Sequence, residues 1–109
     1  MNNDTDSAFP ALTRKEATIL EMLLSGVEHY GLEMVEASKG LLKRGTIYVV
    51  LQRMQEKGFI ESRKEARVAP EIGIARRIYK ITGHGARVLA AHQAAAATYA
   101  DLTPEGAFS

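Results

Sequence analysis

Cysteine and tryptophan are absent from the 109-residue chain, and histidine is scarce. Without cysteine there is no disulfide, no thiolate metal ligand and no thiol redox chemistry, a composition compatible with a reducing compartment. The three histidines, His29, His84 and His92, are scattered. His84 and His92 lie two helical turns apart, too far to share one metal ion within a single chain. No HExxH pair and no glycine-rich phosphate loop occurs, so the sequence offers no catalytic constellation, no metal site and no cofactor motif. Nor does any apolar run approach the roughly 18 residues of a membrane span. The opening "MNNDTDSAFP" is acidic and polar where a signal peptide is basic and then apolar. The expectation is a soluble cytoplasmic protein that is not an enzyme.

What is there has ordinary globular proportions, 46% hydrophobic and 25% charged, which argues against disorder of the whole chain and leaves room for one domain. The formal net charge of +1 conceals a strong asymmetry. Between Lys43 and Arg87 stand eleven lysines and arginines against four glutamates, a net of +7, whereas the remainder holds three basic residues against nine acidic ones, a net of −6. A block of positive charge on an otherwise negative molecule points either to a face for a polyanion or to a solvated basic surface.

Residues 1–11 show no period and read as a flexible arm, and 103–109 as a tail. Between them the pattern is mostly α, with an α+β core. Thr13 and Glu16 have capping-box spacing, Leu12 is positioned for a hydrophobic staple, and Ala17, Leu20, Leu23, Leu24 and Val27 recur at helical steps. "HYGLEMVEAS" predicts a short second helix stopped at Lys39 and Gly40. A third helix is expected from about Arg44 to Lys57, with Ile47, Val50, Leu51 and Met54 as its apolar stripe and Gly58 as its break. "FIESR" and "RRIYKIT" alternate as two strands of a hairpin, joined by the long connection "KEARVAPEIGIA". The alanine-rich stretch after Gly83 predicts a last helix over 83–102.

Three helices, a hairpin and a fourth helix follow the order of a winged helix-turn-helix domain, which would occupy residues 12–82. In that fold the third helix enters the major groove of double-stranded DNA. Its polar face suits the role: Lys43 and Arg44 at the start for phosphate, then Thr46, Tyr48, Val49, Gln52 and Arg53. Gln pairs bidentately with adenine and Arg with guanine, and Val49 suits a thymine methyl. Two structural alternatives stay open. Tyr48 can anchor the helix against its own domain, and Arg53 can brace the hairpin through an ion pair.

Tyr30-Gly31, "LLKRGTIYVVLQRMQEKGFIES" from Leu41 to Ser62 and "RRIYKITGHGARVL" from Arg76 to Leu89 resemble the PadR family of bacterial transcriptional regulators. The resemblance covers roughly Leu12 to Leu89. It implies a dimeric DNA-binding repressor whose wing, here Arg67, Arg76 and Arg77, reaches phosphate or the minor groove and whose last helix crosses to a second subunit. Val68, Pro70 and Ile72 stand where the family has a short glycine-rich wing tip. On the last helix Val88, His92, Ala95, Tyr99 and Leu102 form one stripe with Leu89 and Ala96 alongside, suited to close packing in a homodimer, the alternative being a helix folded back on its own domain. The resemblance also implies ligand-responsive control, for which Phe9, Tyr30, Met34 and Tyr99 are candidate lining of an interface pocket for a small aromatic effector. The rival readings are a winged-helix module that docks on another regulator or on polymerase, and a nonspecific chromosome-packaging protein.

Overall fold

The first helix, α1 (Arg14–Leu23), begins where the sequence says it should. The Thr13 hydroxyl accepts from the Glu16 backbone N–H at 3.1 Å, and the Glu16 carboxylate accepts from the Thr13 N–H at 3.0 Å. Two otherwise orphaned donors are satisfied reciprocally. Leu12 and Ala17, the staple pair before and after this box, are both buried. The computed structural model describes residues 12–68 and 75–102 of the chain, so the expected arm, the wing tip and the tail fall outside the described residues.

Beyond α1 the chain departs from the expectation. His29 and Tyr30 are not the first turn of a helix; they form an edge strand, β1 (His29–Tyr30). The helix α2 (Gly31–Ala37) starts one residue later, with the Glu33 carboxylate accepting from the Tyr30 N–H at 2.7 Å. Leu24 and Val27, read as continuing the α1 stripe, lie past its end and are about half exposed. The helix α3 (Ile47–Glu56) is shorter at its start than its amphipathic pattern implies. Lys43, Arg44 and Thr46 precede it in a turn in which the Lys43 carbonyl accepts from Thr46 and Ile47. Its far end is a complete Schellman motif: Phe59 N–H donates to the Met54 carbonyl and Gly58 N–H to that of Gln55, with Gly58 at φ +81°. Phe59 is thereby driven into the core.

Strands β2 (Ile60–Val68) and β3 (Ala75–Ile81) pair antiparallel, and β1 joins the other edge of β3 to give a three-stranded sheet in the order β1-β3-β2. The strands extend into what the sequence suggested was the connection, with an irregular register between Lys64 and Val68. The last helix, α4 (Gly83–Leu102), matches its predicted bounds. One core unites all these elements: Ile19, Leu20 and Leu23 from α1, Met34 from α2, Ile47, Leu51 and Met54 from α3, Ile60 and Tyr79 from the sheet, Val88 and Leu89 from α4. Ile81 is only partly buried against it.

Two polar devices fix the assembly. Glu16, 5% exposed, receives the Lys57 ammonium at 2.7 Å, tying the start of α1 to the end of α3. Burial pushes the Glu16 carboxyl up, but Lys57 and the Thr13 hydrogen bonds outweigh it, so the group sits below its ordinary value. At the entry to α4, the Thr82 hydroxyl donates towards the carbonyls of Gly58 and Phe59 and accepts from Gly85 N–H at 2.9 Å. Gly85 approaches the Phe59 carbonyl so closely that a Cβ would overlap it.

Candidate nucleic-acid interface

The outer side of α3 is where the exposed candidates converge. Ile47, Leu51 and Met54 face inward, which turns Tyr48, Val49, Gln52 and Arg53 to the surface. Tyr48 and Val49, adjacent on the helix, are each 51% exposed. Lys43, Arg44 and Thr46, also exposed, sit in the turn at the helix's foot. Tyr48 takes the anchoring role the sequence left open, its ring resting on Gly31, where an added Cβ would lie 2.9 Å from Cε1, while half of the side chain remains accessible. Among the described residues no carboxylate lies within ion-pair distance of Arg53, so the hairpin brace suggested for it is not formed there.

The wing sorts its charges by strand parity. In the register Lys64↔Arg77 and Ser62↔Tyr79, alternate residues share a sheet face. One face carries Ser62, Lys64, Arg77 and the buried Tyr79 and looks along α3. Lys64 and Arg77 are like charges directly opposite each other, an arrangement that costs free energy unless an anion compensates it. No carboxylate of a described residue pairs with either. The other face of the wing carries Glu61 and Glu65 beside Arg63, Arg76 and Lys80, and its charges are engaged. Arg63 meets Glu28 at 2.7 Å and Lys80 meets Glu61 at 3.4 Å. Arg76 lies over the Tyr30 ring at 5.0 Å, with the Tyr30 hydroxyl donating to Glu65 at 2.5 Å. That hydrogen bond to Glu65 is the main reason the Tyr30 phenol is raised above its usual value.

Between α3 and the wing lies a hollow of about 490 Å³ lined by Tyr48, Gln52, Gln55, Glu56, Arg77 and Tyr79. Burial, and next the neighbouring Tyr48, raise the Tyr79 phenol, against the lowering effect of Arg77. The structure therefore brings Tyr48, Gln52 and Arg77 together, sets Arg76 on the opposite sheet face, and adds Lys64 and Ser62, which sequence reasoning had not singled out. The signal for both was present in the alternation of β2, but reading it required the register. The Arg67 side chain lies outside what is described.

On α4 the expected partner-facing stripe divides. Val88 and Leu89 are buried in this chain's own core, a correction that follows from the tight Gly85 approach, which lays the first turns of α4 on the sheet. His92 is half-buried, whereas Ala95 and Ala96 are exposed; the side chains of Tyr99 and Leu102 lie outside the described set. Of the lining suggested for an effector pocket, Met34 is committed to core packing and Tyr30 to the wing, and Phe9 and Tyr99 are not described. Among the described residues no helix is long and apolar enough to cross a membrane, and no group of three His, Cys, Asp or Glu could hold a metal ion.

A short helix, a helix presenting an exposed polar side, and a hairpin beside it define a winged helix-turn-helix protein. The model of the transcriptional regulator PadR-like family matches residues 19–91. The chain belongs to that family. Solved structures agree. A Thermoplasma acidophilum protein described as a transcriptional regulator superposes with a TM-score of 0.65 at 25% identity, over 86% of this chain and 90% of its own. A PadR-like transcriptional regulator from Bacillus cereus gives 0.62 at 27% identity over 80% and 84%. A PadR family transcription regulator from Clostridium difficile, at 23% identity, shares the fold with a TM-score of 0.68 over 86% and 97%. No curated protein matches the sequence.

Proposed function

We propose that the chain is a sequence-specific DNA-binding regulator acting as a homodimeric repressor on a pseudo-palindromic operator. The observation that carries this reading is the charge sorting of the wing. Lys64 and Arg77 stand opposed on the face shared with Tyr48 and Gln52, and among the described residues neither forms an ion pair with a carboxylate, while Arg63 and Lys80 on the other face are neutralised internally. Like charges held together in this way favour a phosphate backbone between them. Residues 12–82 form the DNA-binding unit, in which Thr46, Tyr48, Val49, Gln52 and Arg53 meet base edges or the adjacent sugar-phosphate. Lys43, Arg44, Lys64, Arg67 and Arg77 meet phosphate. Residues 83–102 form the dimerisation helix. Exposed Ala95 and Ala96, with His92 half-buried one turn before them, allow two helices to approach closely along the outer turns, and Tyr99 and Leu102 follow in sequence at helical spacing. Two such subunits would set their third helices in successive major grooves about 34 Å apart.

The test is an anisotropy titration of the full chain against duplex DNA from upstream of its own gene, at two salt concentrations with competitor DNA present, together with sedimentation. Competitor-resistant, salt-sensitive binding by a species of twice the 11.9 kDa chain mass is expected. A reporter driven from the same DNA should fall when the protein is supplied. Absence of binding at low salt overturns the reading and favours a module that docks on another protein.

A further inference from the structure

Gln52 is usually expected to act alone when a helix reads a base, yet here both ends of its amide are already engaged. Gln52 Nε2 donates to Glu56 Oε2 at 3.2 Å, and its Oε1 accepts from Gln55 Nε2 at 3.4 Å. Gln55 Oε1 in turn accepts from the Ser62 hydroxyl at 2.7 Å, and Ser62 Oγ accepts from Arg77 Nη1 at 2.9 Å. Four hydrogen bonds run from a guanidinium on the wing to a carboxylate on α3. Every donor points the same way, so each bond polarises the next. Ser62 is the one member on β2 that must both accept and donate, which only a hydroxyl does here. It is also the bridge between elements: on one side lies the wing, on the other the recognition helix. The chain borders the hollow shared by Gln52, Gln55, Glu56 and Arg77.

We propose that Ser62 is a positioning residue that couples the wing to the base-reading side of α3, an inference that rests on the DNA-binding reading above. Arg77 has five N–H donors in a rigid fork, so it can keep Ser62 on Nη1 while its remaining donors take a phosphate. With Arg77 anchored, the chain presents the Gln52 amide in one orientation and removes the alternatives. Loss of the Ser62 hydroxyl therefore weakens discrimination between sequences and leaves the sequence-independent attraction to the backbone intact. An amide left free to turn can still touch DNA, but it no longer prefers one base edge.

The probes are a duplex selected by the wild-type full chain from a random library and a random-sequence duplex of equal length. Ser62→Ala should lower affinity for the selected duplex by about fivefold and leave the random duplex within about twofold, the size expected for one lost hydrogen bond. Ser62→Thr, which retains a hydroxyl on a strand-favouring residue, should restore the ratio. In a double-mutant cycle on the selected duplex, Gln52→Ala and Arg77→Ala should be coupled by about threefold or more with Ser62 present and be additive in the Ser62→Ala background. Gln55→Ala interrupts the same chain from the helix and should reproduce the loss, which keeps the question decidable if Ser62→Ala unfolds. An unchanged specificity ratio in both variants, or additivity in the wild-type background, overturns the coupling while leaving the DNA-binding reading in place. A wild-type chain that enriches no duplex over random DNA defeats that reading and this one together.

Discussion

Adjacent arginines on one strand, Arg76 and Arg77, should behave as opposites. Strand geometry sends them to different faces of the sheet: Arg76 stacks on Tyr30, and Arg77 shares its face with Lys64 and lines the hollow against α3. If Arg77 meets a phosphate, replacing it with alanine removes one counterion-releasing contact per subunit. The log-log salt slope should then become shallower by about 0.9 for each phosphate lost. Between about 50 and about 200 mM salt, one such contact corresponds to roughly a 3.5-fold loss of affinity, or roughly 12-fold for a dimer with two wings. Arg77→Ala should therefore bind more weakly at low salt and lose much less than the wild type as salt is raised. Arg76→Ala should keep the wild-type slope and instead lower the melting temperature slightly, because Tyr30 loses its cationic cover while Glu65 remains. The assay is fluorescence anisotropy on a fixed duplex across a salt series, with melting curves for both variants. Equal flattening by the two substitutions, or an unchanged slope in Arg77→Ala, would refute the parity argument.

Gly85→Ala should cost about 2–3 kcal/mol and lower the melting temperature by on the order of 10 °C, because the added Cβ collides with backbone rather than with a movable side chain. A thermal melt within about 2 °C of wild type would show that the α4 junction can relax. At Gly31→Ala the obstacle is the mobile Tyr48 ring, so stability should stay within about 1 kcal/mol while DNA affinity falls as the ring is pushed away; unchanged affinity in the same titration would remove Tyr48 from the interface. Glu16→Gln should destabilise by about 1–2 kcal/mol at neutral pH, a charge-assisted bond discounted for the exposed Lys57 head. Since the folded carboxyl lies below its ordinary value of 4.5, that contribution is full above 4.5 and fades as pH falls through the folded value. Denaturant melts of both proteins from pH 7 down to pH 3 should therefore converge on the acid side, and a constant gap would contradict the assignment.

Local rules carried much of the architecture. The Thr13-Glu16 box, the Ile47-Leu51-Met54 stripe and the alanine-rich last helix each depend on residues within a turn or two of one another, and each is found as expected. What escaped the sequence depends on partners far along the chain. A two-residue strand such as His29–Tyr30 has no alternation to read and exists only because β3 offers it an edge. Glu16 reaches Lys57 across 41 residues, and nothing near either one announces it. Val88 and Leu89 continue an apolar stripe seamlessly, so only the Gly85 contact reveals that its first turns belong to this chain's own core. The candidate interface was legible to the level of element and residue type, but the division of the wing basics into an ion-paired set and one without a carboxylate partner among the described residues came from register.

The clasp at Thr82, Gly85 and Phe59 makes α4 a rigid outrigger. From Gly85 to Leu102 the helix extends about 25 Å. A tilt of about 8° at its root would move the far end by about 3.5 Å, close to the spacing of successive base pairs on one strand. If two subunits join through those outer turns, as proposed, the angle held at one threonine hydroxyl and one glycine would gauge the distance between the two reading heads. A slack clasp would then let the pair straddle operators of different length, and a tight one would make the protein a ruler for a single spacing.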